Sequence, residues 1–359
     1  MKGWIGSFTN PILQPVLSAP LDMNLPLPHA MHRAIRPAAI ASAALLLLAA
    51  TTLSVPAPAH AAAPQVRTQA PGYYRMMLGQ FEVTALSDGT ATIPLDKLLT
   101  RTSPTQVERL LGDAYLQPKT ETSVNAFLIN TGSQLLLVDT GAGRLFGPTV
   151  AGRLVKSLRA AGYQPEDIDV VLLTHIHGDH SCGLTVDGQA VFPNAVVRVD
   201  RHDHDFWLNE QNKERVDASH HHGFAEAAAA FAPYIAKGRV QPFEPGAELL
   251  PGIRALATHG HTPGHTFYEV QSQGQRLLLW GDLIHAKDVQ FPQPGVTIRF
   301  DVDDARAAQQ RQQALRTAAR EGTLIGAAHI SFPGLGRVRP AGKGYLWVPV
   351  NYSLDGLKE

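Results

Sequence analysis

The sequence predicts an α/β protein whose core is two sheets covered by helices, and three observations carry that expectation. Apolar runs of strand length alternate with helical stripes along the chain. Some of the runs are joined by hairpin turns and others by helices, a pattern that two sheets with helices outside them satisfy. Several runs end directly in a histidine or an aspartate, so one sheet edge can gather those side chains.

Taken in order, Gln134 to Asp139 (QLLLVD) ends at Thr140-Gly141 and reads as a buried strand. Val150, Leu154, Leu158 and Ala161 share one helical stripe; Gly162 stands where a left-handed glycine would close that helix, and Pro165 follows. Asp169 to Thr174 (DVVLLT) and Ala195 to Val199 are the next strands, and Ile253 to Thr258 is strand-like. Phe267 to Val270 and Gln275 to Trp280 flank Gly274 as a hairpin. Asp303 and Asp304 open a helix that runs to about Arg320, with Gly322 beyond its end, and Thr323 to Ala327 reads as the last core strand.

The chain has 359 residues, with 31 basic and 31 acidic side chains, so it has no net charge to build a broad surface for nucleic acid or anionic membrane. The single cysteine, Cys182, excludes an intrachain disulfide, and a core of this size needs none. Residues 1–61 read as an N-terminal extension and signal peptide, and residues 62–359 as one domain. His32, Arg33 and Arg36 follow Met31, which reads as the natural start; Ala38 to Leu53 is apolar, and Ala59-His60-Ala61 fits a cleavage site. The apolar run is shorter than the roughly 20 residues of a membrane span, so the expectation is a periplasmic or secreted protein without stable membrane insertion.

The chemistry is concentrated in His175-Ile176-His177-Gly178-Asp179-His180, which begins directly after a buried strand. Four ligand-type residues in six positions exceed what one ion accepts from a loop. The natural division puts His175 and His177 on one ion and Asp179 and His180 on another. His261, Asp282 and His329 also follow apolar runs, and Asp282, the carboxylate among the three, is the candidate bridge. Imidazole with carboxylate suits zinc, and manganese, cobalt and iron fit as well. Two cations sharing one water would bring its pKa towards neutrality and give a bridging hydroxide, while one ion polarises an ester carbonyl. Asp179, a ligand with a free oxygen, would shuttle the proton, and His285 would hydrogen-bond a carbonyl or leaving group.

H-x-H-x-D-H, then G-H-T-P-G-H, then Gly281-Asp282 and a final histidine resemble the metallo-β-lactamase superfamily. The resemblance implies an αβ/βα four-layer sandwich with the site at one edge of two facing sheets. It also implies that Asp139 supports the site and that His259 and His265 are structural. Ala62 to Thr68, Ala70 to Arg75, Ala328 to Gly334 and Gly344 to Ser353 are similar to methyl parathion hydrolase and its lactonase (dihydrocoumarin hydrolase-like) relatives. That likeness implies a homodimer and an aromatic pocket at Phe146, Trp207 and Phe224. Leu98 stands where the phosphotriester hydrolase has arginine and His285 where it has leucine, while Ile298 and Phe300 are bulkier than their counterparts. These states resemble the lactone-hydrolysing branch. The expectation is a binuclear hydrolase of lactones and aryl esters with at most weak phosphotriesterase activity.

The alternatives are an organophosphate hydrolase and, from another class, a secreted metal-binding protein without catalysis, against which the full ligand set argues. A glyoxalase II-like thioesterase would need a basic cluster near the motifs, the commonest zinc β-lactamases need a cysteine ligand, and a nuclease needs a basic surface; the sequence offers none of these. Cys182 reads as packing under the metal loop, and His202, His204 and His220 to His222 as surface histidines.

Overall fold

The computed structural model describes residues 63–357 apart from 148 and 247. The expected signal segment lies outside the described residues. Among the described residues, no helix is long and apolar enough to cross a membrane.

The chain from Thr68 onwards forms one compact unit around two seven-stranded sheets. The first sheet runs, in hydrogen-bonding order, β1 (Tyr73–Leu78), β2 (Phe81–Pro94), β3 (Lys119–Asn130), β4 (Leu135–Val138), β5 (Val170–Leu172), β6 (Val196–Asp200) and β7 (Val240–Phe243). The second runs β8 (Glu248–Leu250), β9 (Ile253–Ala257), β10 (Thr266–Ser272), β11 (Gln275–Leu279), β12 (Leu324–Gly326), β13 (Leu335–Ala341) and β14 (Gly344–Pro349). Both are mixed: β4, β5, β6 and β7 pair in parallel, as do β11 and β12, and the remaining ladders are antiparallel.

Side chains alternate across a strand, and the layers follow from that. In β4, Leu136 and Val138 point between the sheets, where they join Ile129, Leu172, Tyr268, Val270 and Leu279. Leu135 and Leu137 point outward, onto the side covered by α1 (Leu154–Ala160), α2 (Arg201–Trp207) and α3 (His222–Ile235). On the far side, Phe267, Ile325 and Val338 meet Leu315 and Ala318 of α4 (Asp304–Glu321). Helices, sheet, sheet and helices make the four layers that the resemblance implies. A smaller cluster around Leu99, Val107, Val289 and Ile298 seals one end.

Three features depart from the sequence expectation. β12 is not the last core strand, since the hairpin of β13 and β14 follows it in the same sheet. No apolar run in the sequence marks the long β1–β3 meander, because its strands mix polar with apolar residues. The helix expected from Val150 begins only at Leu154. Asp88, buried at a bulge in β2, accepts bonds from the backbone N–H groups of Ala142 (2.9 Å), Gly152 (2.9 Å) and Leu154 (2.8 Å). It thereby ties Ala142, Gly152 and the first residue of α1, Leu154, to the β2 bulge. Gly89 follows at φ 133°, where an added Cβ would lie 2.8 Å from the Val150 carbonyl oxygen. The α4 boundaries agree with expectation: the Asp303 carboxylate caps Arg306 N–H at 3.0 Å, and Gly322 closes the helix at φ 61°.

Candidate metal centre

Five strand ends deliver the site. Beyond β4 comes Asp139; beyond β5 comes the 175–180 loop, whose short turn Gly178–Ser181 presents Asp179 and His180 on successive residues. His261 follows β9, Asp282 follows β11 and His329 follows β12. Gly281, at φ 52°, permits the turn that aims Asp282 inward: a Cβ there would lie 2.8 Å from Thr174 and 2.9 Å from His265.

All seven ligand candidates come together, in two sets facing one carboxylate. Asp282 Oδ2 lies 3.5 Å from His175 Nε2 and 3.2 Å from His261 Nε2, and His261 Nε2 lies 3.0 Å from His177 Nδ1. Asp282 Oδ1 lies 3.0 Å from both His180 Nε2 and His329 Nε2, and Asp179 Oδ2 lies 3.6 and 3.4 Å from those two nitrogens. One oxygen of Asp282 therefore serves each set, as a bridge requires.

These residues fit two divalent cations. His175 Nε2, His180 Nε2 and Asp282 Oδ1 are buried without a hydrogen-bond partner. A buried polar atom left so costs about 1–3 kcal/mol. Here three of them point into one small space, which a cation explains and hydrogen bonding does not. Protonation agrees. Burial holds His175 well below the usual histidine range, reinforced by His180. Burial and His261 do the same to His177. Burial also opposes charge on His261, but its bonds to Asp282 and Asp301 win and push it up to about 9. The imidazoles cannot all be charged at once, and metal ligation needs them neutral.

A shell of bonds orients the ligands. His180 Nδ1 lies 2.9 Å from Asp139 Oδ2, and Asp139 Oδ1 accepts from Thr174 N–H at 2.8 Å. His329 Nδ1 donates to the Ser123 carbonyl at 2.8 Å. Asp282 N–H donates to His265 Nε2 at 3.0 Å; burial, reinforced by His261, keeps that imidazole neutral with its pKa down to about 3. Asp203, fully buried, accepts from Ile176 N–H at 2.9 Å and Thr262 Oγ1 at 2.8 Å, so it ties the two histidine loops together.

Sequence reasoning missed Asp203, Asp301 and Arg311. His261 Nδ1 donates to Asp301 Oδ1 at 2.8 Å. Arg311 stands 3.7 Å from Asp301 Oδ2 and donates to the carbonyls of Leu283 at 2.7 Å and Val296 at 2.6 Å. One signal was available: Arg311 lies on the buried stripe of α4 with Ala308, Leu315 and Ala318, and a charge there needs a partner. Because Asp301 fixes the tautomer and direction of His261, Asp301→Ala should weaken metal binding and kcat/KM by about 10–100-fold. Metal competition with a chromogenic chelator checks this, and wild-type affinity would contradict it.

Beside the metal set lies a cavity of about 920 Å³. Leu98, Phe146, Trp207, His285 and Phe300 line it. Phe224 and Ile298 do not. Phe224 sits on the inner face of α3 and is buried against Trp207, ring centroids 4.9 Å apart. Ile298 pairs with Leu99 in a short ladder and packs into the end cluster. Of the run read as surface histidines, His220 and His222 line the cavity, and His222 is exposed there. His285 Nε2 lies 3.0 Å from Asp282 Oδ2, its ring stacks on His329 at 5.1 Å, and its buried Nδ1 has no partner. Burial, then Glu226, pushes the Cys182 thiol up to about 12, in keeping with a packing role.

Comparison with known proteins agrees with the site. Residues 120–329, more than half of the chain, match the model of the metallo-beta-lactamase superfamily. A solved structure of hydrolase AbOPH, described as in the beta lactamase superfamily, is similar over 80% of this chain and 100% of that one, at 36% identity and a TM-score of 0.76. AidC, described as a dizinc quorum-quenching lactonase in complex with a product, is similar over 79% of this chain and 98% of its own, at 27% identity and a TM-score of 0.73. The N-acyl homoserine lactonase AiiA of Bacillus thuringiensis subsp. kurstaki is 26% identical over 127 residues; the match spans 35% of this chain and 42% of that relative's length. The chain belongs to the metallo-beta-lactamase superfamily of metal-dependent hydrolases.

Proposed function

We propose that this protein hydrolyses lactones and aryl esters at a binuclear metal centre. The observation that carries the reading is Asp282, which turns one oxygen to each of two histidine-rich sets at the foot of a large, mainly apolar cavity. The lactonase relatives support the substrate class, and the dizinc relative supports two zinc ions.

When bound, two divalent cations supply a shared water acidified towards neutrality and Lewis-acid polarisation of the scissile carbonyl. The chain's own residues do the rest. Asp282 fixes the spacing of the two sets, and Asp139, Asp301 and the Ser123 carbonyl fix the ring directions. Asp179, the most exposed of the ligand set's carboxylates at 22%, takes the proton of the attacking water and returns it to the leaving oxygen. His285, on the cavity wall beside Asp282, hydrogen-bonds a carbonyl or leaving-group oxygen of the substrate. Leu98, Phe146, Trp207 and Phe300 exclude water and hold an apolar acyl or aryl group.

With Ile298 behind the wall, the preference for a planar carbonyl over a tetrahedral phosphotriester rests on Leu98, Phe300 and His285. We expect kcat/KM on dihydrocoumarin or an N-acyl homoserine lactone to exceed that on a methyl parathion-type triester by at least about tenfold, which needs only ~1.4 kcal/mol. The comparison is made on one zinc-reconstituted preparation, and a triester equal or ahead would overturn the lactonase reading. The same reading includes export, motivated by the basic, apolar and Ala-x-Ala pattern of residues 31–61. Mass spectrometry of protein from the native host should find an N-terminus near Ala62, and an intact Met1 or Met31 would refute export.

A further inference from the structure

A second group of ligand-type side chains, distinct from the binuclear set, gathers where β6 passes into α2. Asp200 closes the strand, and its carboxylate is fully buried. Its Oδ1 lies 2.8 Å from His202 Nδ1 and its Oδ2 lies 3.0 Å from His259 Nε2. The two imidazole rings lie with centroids 4.7 Å apart, tilted 53° to each other. Asp200 Oδ1 also accepts His202 N–H at 2.7 Å, and Thr266 Oγ1 approaches Oδ2 at 3.4 Å. A carboxylate offers about four lone-pair directions. Those bonds occupy one on each oxygen and leave one on each aimed at an imidazole nitrogen.

From these contacts we propose that Asp200, His202 and His259 form a third divalent-cation site. It goes beyond the hydrolase reading, and only the counting of its equivalent as the third rests on that reading. The donor set of two imidazoles and one carboxylate is that of zinc sites which keep a position for water. The two contacts use different oxygens of Asp200, whereas Asp282 Oδ1 alone meets both His180 and His329 at 3.0 Å. Ligand atoms, one from each of Asp200, His202 and His259, nonetheless lie within 4.8 Å of one another. The edges of a zinc tetrahedron with bonds of about 2.0–2.1 Å are ~3.3 Å, so binding an ion would draw the second ring towards the oxygen the first one shares. Access comes from one side: the His202 side chain is 52% exposed, while Asp200 and His259 are buried. The ion takes the place of the two protons that the imidazoles otherwise direct at Asp200, and each ring then carries its proton on the far nitrogen.

Such an ion would clamp the start of α2 to the 259–265 loop that presents His261. Its signature is therefore a zinc dependence of stability beyond the second equivalent. The test uses the full-length enzyme carrying two zinc equivalents, titrated with further Zn2+. Retained zinc is counted by elemental analysis after free ion is removed, and the melting temperature is followed in parallel. Wild type should retain a third, weaker-bound equivalent and melt higher as it binds. His202→Ala, a change at a half-exposed position, should stop at two equivalents, lose that rise and keep the lactonase turnover of the two-zinc enzyme. Anomalous scattering from zinc-soaked crystals should place the third ion among Asp200, His202 and His259. Wild type stopping at two equivalents, His202→Ala taking up the third as wild type does, or a third ion located elsewhere would each overturn the proposal.

Discussion

Asp282→Ala should lower kcat/KM by at least about 10³-fold, which corresponds to ~4 kcal/mol of transition-state stabilisation, and should reduce bound metal below two equivalents. The reason is geometric. Among the seven ligand candidates only Asp282 faces both sets, with Oδ2 towards His175 and His261 and Oδ1 towards His180 and His329. Removing it takes a negative charge away from five imidazoles and from the two cations whose repulsion it offsets. Each set then loses a ligand, and their separation is no longer fixed. Near-ultraviolet circular dichroism separates this loss from unfolding. A folded variant that keeps both metals and near wild-type turnover would show that Asp282 is not the bridge.

The second large effect is expected on metal removal. Dialysis against a chelator should abolish hydrolysis and lower the melting temperature, and zinc should restore both. A ligand held at a hundred times its dissociation constant stabilises the native state by about 2.7 kcal/mol, so two such sites contribute roughly 5 kcal/mol. At about 2–4 °C per kcal/mol for a large domain, the shift is on the order of 10 °C. The metal-free protein should still fold, because burial leaves His175 and His177 neutral while the cationic His180 and His261 flank the Asp282 carboxylate. Metal loss should also follow falling pH, since protons compete for the same nitrogens. Unchanged melting after complete removal would place the metals outside the folded core.

How much of this was legible in the sequence follows from the kind of signal each residue leaves. A strand buried on both faces is a short apolar run, and a polar side chain directly after it stands out. His175 after VVLLT, Asp282 after LLLWG and His329 after LIGAA are all of that kind. The α4 boundaries were readable because Asp303 and Gly322 are chemically specific caps. The long β2 and β3 mix polar with apolar residues and leave no such run, so the first half of sheet one went unassigned. Asp301 sits in a loop, and nothing local marks it; its role exists only because His261 folds back upon it. Phe224 and Ile298 show a different limit. Residue type and family likeness place a side chain near a pocket but do not say whether it faces the cavity or the core behind it. α3 turns Phe224 inward against Trp207, and a short ladder with Leu99 turns Ile298 into the end cluster.

The most direct measurement of the central claim is lactone hydrolysis by the metal-free protein as zinc is returned in steps, with bound zinc counted at each step. Turnover of dihydrocoumarin or an N-acyl homoserine lactone should stay near background at low loading and climb until about two equivalents are bound. Full turnover at one equivalent, or no lactone turnover with both sites filled, would contradict the account.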